Sequence, residues 1–186
     1  AQVPALQSLA ISVADPEGKR VMGDTPRVLE GKEFIEEKIG ETLYRLYPGA
    51  FFQVDPMQAR HLHARLLEQC RGMRKILDLY SGVGAYARML ARAGIEVLAV
   101  EEDPQAVQSA RGRIPHLKVL QGKVEELDLY GSFDAVILNP ARRGADPALL
   151  ARLPALAPRL FYISCGPETL ARDLDNLAFH GFHARS

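Results

Sequence analysis

From Lys75 onward the chain carries five short apolar runs rich in β-branched residues, "KILDLY", "IEVLAVE", "LKVLQG", "FDAVILNP" and "RLFYISC". Stretches with helical spacing interleave them: Ala85 to Ala93, a segment from Pro104, one around Pro147 to Leu153, and one from Pro167 to Ala178. Strands that are apolar on both faces must be covered on both, and the crossovers between parallel strands supply the helices that do so. The expected fold class is therefore α/β, with a doubly wound, mostly parallel sheet. Ahead of it, Asp55 is a plausible N-cap with Pro56 at the first helical position, and Leu62, Leu66, Leu67 and Cys70 follow at helical spacing, so a helix is expected to about Arg71.

Residues 1–54 read differently. The runs "LQSLAISV", "RVMG" and "ETLYRLYPGAFFQV" look like short strands, and Asp15-Pro16-Glu17-Gly18 has turn chemistry. Two units are expected, a small β-rich lobe over 1–54 and an α/β domain over 55–186. A chain of 186 residues, 47% apolar and 25% charged, has the makings of one ordinary core. Lys and Arg total 23, as do Asp and Glu, so no global positive field draws in nucleic acid or an anionic membrane, and any RNA affinity has to be local. Cys70 and Cys165 stand too far apart in sequence to form a disulfide framework, and no CxxC or HxxxH spacing offers a metal cage. A reducing cytoplasm is the expected setting, without a membrane span. The chain opens Ala1-Gln2 without an initiator Met, as expected of a processed or excised piece.

The chemistry-bearing residues gather at the ends of the apolar runs. Gly82-x-Gly84-x-x-Ala87 follows the first run as a G-x-G-x-x-A turn, which suits a tight bend and close approach of a ligand. Glu101 ends the second run about twenty residues on, where a carboxylate meets a ribose diol. Asp103, before Pro104, reads as a helix cap. Asp78 ends the first run, where it can order loop amides or attract a cationic group. The fourth run ends Asn139-Pro140-Ala141-Arg142-Arg143-Gly144, a rigid turn with an amide and two guanidiniums, one of them read as an RNA contact. The fifth ends at Cys165, just ahead of Gly166 as a small cap and Pro167 at the first position of a helix whose N-terminus favours an anion. A dehydrogenase has no evident use for that amide and thiol, whereas a nucleobase methyltransferase does. Cys70 reads as a buried structural residue, and the histidines carry no signal.

"FFQVDP", "ILDLYSGVGAYARMLA", "VLAVEEDPQAVQSA", "FDAVILNPARRGAD" and "FYISCGPETLARDL" resemble, in order and spacing, the motifs of the RNA uracil-5 methyltransferases that make 5-methyluridine in ribosomal and transfer RNA. The resemblance runs from about Phe51 to the C-terminus and extends to the β-rich lobe, which looks like that family's central domain. It implies a Rossmann-like fold, S-adenosylmethionine (SAM) as methyl donor, Cys165 as nucleophile, and a cofactor site lined by Gln53, Tyr80, Glu101 and Asn139 together with Asp78, Gly82 and Gly84. The expected substrate is a uridine of 23S ribosomal RNA. Carbon 5 of uracil is a poor nucleophile, and a thiolate added at carbon 6 activates it.

The chain departs from the family in places. Many members have Asp where Asn139 stands, Cys-Asn-Pro where Cys165-Gly166-Pro167 stands, and a carboxamide or acid near the position of Lys123, so weaker cofactor affinity is expected. The family's N-terminal RNA-binding barrel and its C-terminal stretch, with a Glu thought to take the carbon-5 proton, have no counterpart. The last strands are accordingly expected to be missing, leaving "LFYIS" as an apolar edge that favours self-association, and steady-state turnover is expected to be absent. Two rival readings are an amino-group methyltransferase, which normally has an aromatic after Asn-Pro where Ala141 and Arg142 stand, and a non-catalytic SAM-binding, RNA-associated domain.

Overall fold

The computed structural model describes residues 6–13, 26–53 and 55–185. The expected turn at Asp15 to Gly18 and the "RVMG" strand lie outside the described residues. The N-terminal part forms two antiparallel ribbons: β1 (Ser8–Ile11) with β2 (Arg27–Gly31), and β3 (Ile35–Ile39) with β4 (Thr42–Leu46). β2 and β3 were not legible as strands. Both are mostly exposed, and the charges of "IEEKI" erase the alternation that a half-buried strand shows.

The remainder runs α1 (Pro56–Gln69), β5 (Lys75–Leu79), α2 (Ala85–Arg92), β6 (Glu96–Glu101), α3 (Pro104–Ala110), β7 (Leu117–Gln121), β8 (Ala135–Leu138), α4 (Pro147–Leu156), β9 (Leu160–Tyr162) and α5 (Pro167–Phe179). The five strands pair in parallel in the order β7-β6-β5-β8-β9, the doubly wound sheet expected from the sequence. Three helices start with the same Asp-Pro device. The carboxylates of Asp55, Asp103 and Asp146 accept amides of the first turn while the following proline supplies a preset φ. α4 continues three residues past the expected Leu153, because Pro154 falls in its final turns and removes only one donor.

Side chains alternate across the sheet. Leu77, Leu79, Val136 and Leu138 pack on one face against Leu149, Leu150 and Leu153 of α4 and Leu177 of α5. Ile76, Val97, Ala99, Ala135 and Ile137 pack on the other against Leu66 of α1, Cys70 at its C-terminal cap, and Tyr86 and Leu90 of α2. Cys70 is fully buried, as its structural reading requires, and burial pushes its thiol up to about 11.

The β3–β4 hairpin does not stand apart from this core. Ile39, Tyr44 and Leu46 form a third cluster with Ala59 of α1, Val83 of the glycine turn and Ala106 of α3. The Tyr44 hydroxyl donates to the Ala85 carbonyl at 2.7 Å. Arg88 donates to the carbonyls of Leu43 and Ala110, each at 3.1 Å, and its guanidinium lies 5.7 Å from the Tyr44 ring centre. His63 is buried between the rings of Tyr44 and Tyr86, and burial lowers its pKa to about 4. Residues on both sides of the expected boundary at 54 thus share one packed cluster. Among the described residues no helix is long and apolar enough to cross a membrane.

The hairpin anchor has a measurable consequence. Tyr44→Phe keeps the ring packing and removes one buried hydrogen bond to the start of α2, so denaturant unfolding should show a loss of about 1 kcal/mol with an unchanged m value.

Candidate functional site

In a parallel sheet every strand delivers its carboxyl end to the same edge. Tyr80, Glu101, Asn139 and the segment leading to Cys165 therefore meet along one rim, and the strand order reverses direction between β5 and β8. Open α/β sheets bind ligands outside such a switch point. The alignment is tight at the rim: the Ser81 amide donates to the Val100 carbonyl at 3.0 Å, and the Ile163 amide to the Leu138 carbonyl at 2.8 Å.

The glycine turn is built by backbone conformation. Tyr80, Gly82 and Gly84 have φ of 56°, 56° and 75°, and the Tyr80 value is uncommon for a residue with a side chain. A Cβ on Gly82 would meet nothing within 4 Å, so the space beside it is open to a ligand. Glu101 grips the turn. One of its oxygens accepts the Gly82 amide at 2.8 Å and the other the Asp103 amide at 2.9 Å, and the carboxylate keeps acceptor capacity for a diol. Burial raises its pKa despite those amides.

Asp78 is fully buried behind the turn. Its Oδ2 accepts the Ala87 amide at 3.1 Å, while its Oδ1 and the Ser81 hydroxyl oxygen have no partner among the described residues. Burial, aided by the charge of Glu101 and opposed by the Ala87 amide, raises the Asp78 carboxyl to about 8. Unpartnered buried polar atoms behind the glycine turn suit a ligand that carries hydrogen-bond donors. The residues present thus fit an aminoacyl sulfonium cofactor.

One contact at the site, made by Tyr80, was not read from the sequence. The Tyr80 hydroxyl donates to Glu125 at 2.6 Å, and Arg152 of α4 holds the Glu125 loop by donating to the Leu127 carbonyl at 2.7 Å. Glu125 lies in a segment without periodicity, so nothing in the order of residues marked it. Gln53 is half-buried and follows Phe52, which packs in the Val83 cluster, so that packing ties Gln53 to the glycine turn. Lys123 is exposed and paired with Glu126 at 3.1 Å.

On the other half of the rim, Asn139 is half-buried, forms no side-chain hydrogen bond among the described residues, and its amide lies 3.4 Å from the Leu79 carbonyl. Cys165 is exposed, one residue ahead of the Gly166 cap of α5. The Ser164 hydroxyl shapes this junction by accepting the Gly166 amide at 3.1 Å, and Thr169 donates to the Gly166 carbonyl at 3.1 Å. A Cβ on Gly166 would come within 2.7 Å of the Thr169 hydroxyl and 3.4 Å of the Arg142 carbonyl, so a side chain here requires Thr169 to shift. Arg142 and Arg143 are both exposed.

A proton held by Asp78 in the folded chain and already lost from the unfolded one makes stability fall as pH rises. The effect spans pH 4 to 8, with a slope of at most about 1.4 kcal/mol per unit. Asp78→Asn removes this titration, so its stability relative to the parent chain should increase steadily from pH 4.5 to pH 8 in urea unfolding.

Residues 76–153 match a family model described as a methyltransferase domain. An uncharacterized RNA methyltransferase of Oceanobacillus iheyensis is 30% identical over 99% of this chain and 43% of its own length. The tRNA (uracil(54)-C(5))-methyltransferase of Pyrococcus horikoshii is 36% identical over 80% of this chain and 37% of its own. The crystal structure of the tRNA (uracil-54, C5)-methyltransferase of Pyrococcus abyssi, in complex with S-adenosyl-L-homocysteine, superposes with a TM-score of 0.75 at 33% identity, over 92% of this chain and 44% of that one. The chain thus spans less than half the length of these relatives. Identity of 30% over nearly the whole chain, the superposition on a solved relative and the methyltransferase-domain match place it: the chain belongs to the SAM-dependent RNA methyltransferase family.

Proposed function

We propose that this chain carries the catalytic region of an RNA uracil-5 methyltransferase, which transfers a methyl group to carbon 5 of a uridine through a covalent Cys165 adduct. The supporting observation is the placement of an exposed thiol on the same sheet edge as the Glu101-gripped glycine turn. SAM, when bound, supplies the methyl group from its sulfonium. Glu101 and the Gly82–Gly84 turn would hold its ribose and main body, Asp78 would accept hydrogen bonds from its aminoacyl end, and Tyr80, Gln53 and Asn139 would form the walls around it. The Cys165 thiolate adds to carbon 6 of the uracil, and the electron pair moved onto carbon 5 takes the methyl group. Loss of the carbon-5 proton to a base then restores the double bond and expels the thiolate.

The substrate class is RNA: transfer RNA by likeness to the archaeal relatives, which are named for action on tRNA uracil-54, and 23S ribosomal RNA by the resemblance of the sequence motifs. Self-association belongs to the same proposal, since β9 pairs only with β8 among the described strands, and sedimentation measures it.

Two measurements test the reading. Titration calorimetry should show SAM binding, weakened at least tenfold in Glu101→Ala, which also leaves the Gly82 and Asp103 amides without their acceptor. In the presence of SAM, RNA containing 5-fluorouridine should form a denaturation-resistant adduct, because fluorine cannot leave as a proton does, and Cys165→Ser should abolish the adduct while still binding SAM. An adduct that survives the substitution would overturn the nucleophile. SAM binding without any adduct would favour the non-catalytic reading, and methylation of an amino group would favour the other rival.

A further inference from the structure

Asp173 lies on α5, eight residues after Cys165, and its side chain is 1% exposed. All of its bonding capacity is directed at segments that flank the site. Oδ2 accepts the Tyr162 hydroxyl of β9 at 2.5 Å and the Ala145 amide, from the turn after β8, at 2.8 Å. Oδ1 accepts Arg172 Nε at 2.8 Å and Nη2 at 2.6 Å, and Arg172 Nη2 also donates to the Arg143 carbonyl at 2.9 Å. Burial raises the carboxyl, but the hydroxyl, the amide and the guanidinium outweigh it, so its pKa lies below the ordinary value.

The approach leaves no slack. Gly144 has φ of 79°, and a Cβ there would come within 2.5 Å of Asp173 Oδ2 and closer still to Arg172. The Arg142 carbonyl, on the same turn, faces the Gly166 cap next to Cys165. The turn from Asn139 to Ala145 is thus joined by one carboxylate to the helix that starts at the thiol. A buried charge is costly, and simple packing of these segments would be served as well by an apolar residue. A charge with every lone pair assigned selects one arrangement.

We propose that Asp173 is a positioning residue for Cys165: it clamps the post-β8 turn to α5 and so sets the gap between Asn139 and the thiol in which a uracil base would be held. The inference rests on the reading of Cys165 as nucleophile. It assigns Asp173 no contact with substrate or cofactor.

The test uses Asp173→Ala, Asp173→Asn and Tyr162→Phe in the same chain, with three readouts. These are SAM affinity by calorimetry, hydrogen exchange of residues 139–145, and the rate of adduct formation with 5-fluorouridine-substituted transfer and ribosomal RNA transcripts. In Asp173→Ala, exchange of the Ala145 amide should rise and the adduct rate should fall, each by tenfold or more, while SAM affinity stays within threefold. Asp173→Asn keeps an acceptor for Tyr162 and Ala145 and should recover most of the rate. Tyr162→Phe removes a single bond, giving a milder variant with a severalfold loss should the alanine variant not fold. An adduct rate unchanged despite faster exchange would overturn the proposal. So would a fall in rate matched by an equal fall in SAM affinity, the mark of general loosening. A parent chain that binds SAM but forms no adduct would instead strike the nucleophile reading, and this proposal with it.

Discussion

The parallel pairing of β5 with β6 on one side and β8 on the other is the constraint on which the rest of the structure depends. Parallel neighbours cannot be joined by tight turns, so the chain has to cross over through helices, and the helices cover both faces. That is why Leu77 and Ile76, adjacent in sequence, belong to different hydrophobic clusters. It is also why the polar ends of the strands, from Tyr80 to Asn139, lie on one rim instead of two.

Each half of the rim is held by a buried or half-buried carboxylate that accepts backbone amides. Glu101 closes the glycine turn through Gly82, and Asp173 closes the post-β8 turn through Ala145. Backbone amides leave a loop little freedom once a charged acceptor fixes them, and such charge-assisted bonds are the strong ones. The cofactor half has a further support, because Tyr44 and Arg88 tie the β3–β4 hairpin to α2 and α3 and press it against Val83. The hairpin therefore contributes to the rigidity of the turn. Asp78 differs from these two, with one oxygen unpartnered among the described residues and a carboxyl kept protonated toward neutral pH. Functional sites are where such unrelieved polar groups collect.

Local order determined much of this in advance. The strand-and-helix alternation after Lys75, the Asp-Pro helix starts, the glycine turn, the strand-end residue Glu101 and the residues just past the strands, Asn139 and Cys165, are written in periodicity, caps and turn chemistry, which depend on neighbours within a few residues, although β9 stops at Tyr162, three residues short of the expected end. The exposed ribbons β2 and β3 escaped because a strand with little buried surface carries no alternation. The pairing of Tyr80 with Glu125, the docking of Tyr44 on Ala85 and the clamp of Asp173 on Ala145 were decided only by the tertiary structure. Each joins residues from different elements, and a hydrogen bond across such a separation leaves no periodic mark on either partner. Whether a buried acid is a cost or a clamp depends on which donors the fold brings to it, and that is a property of the assembled sheet and helices alone.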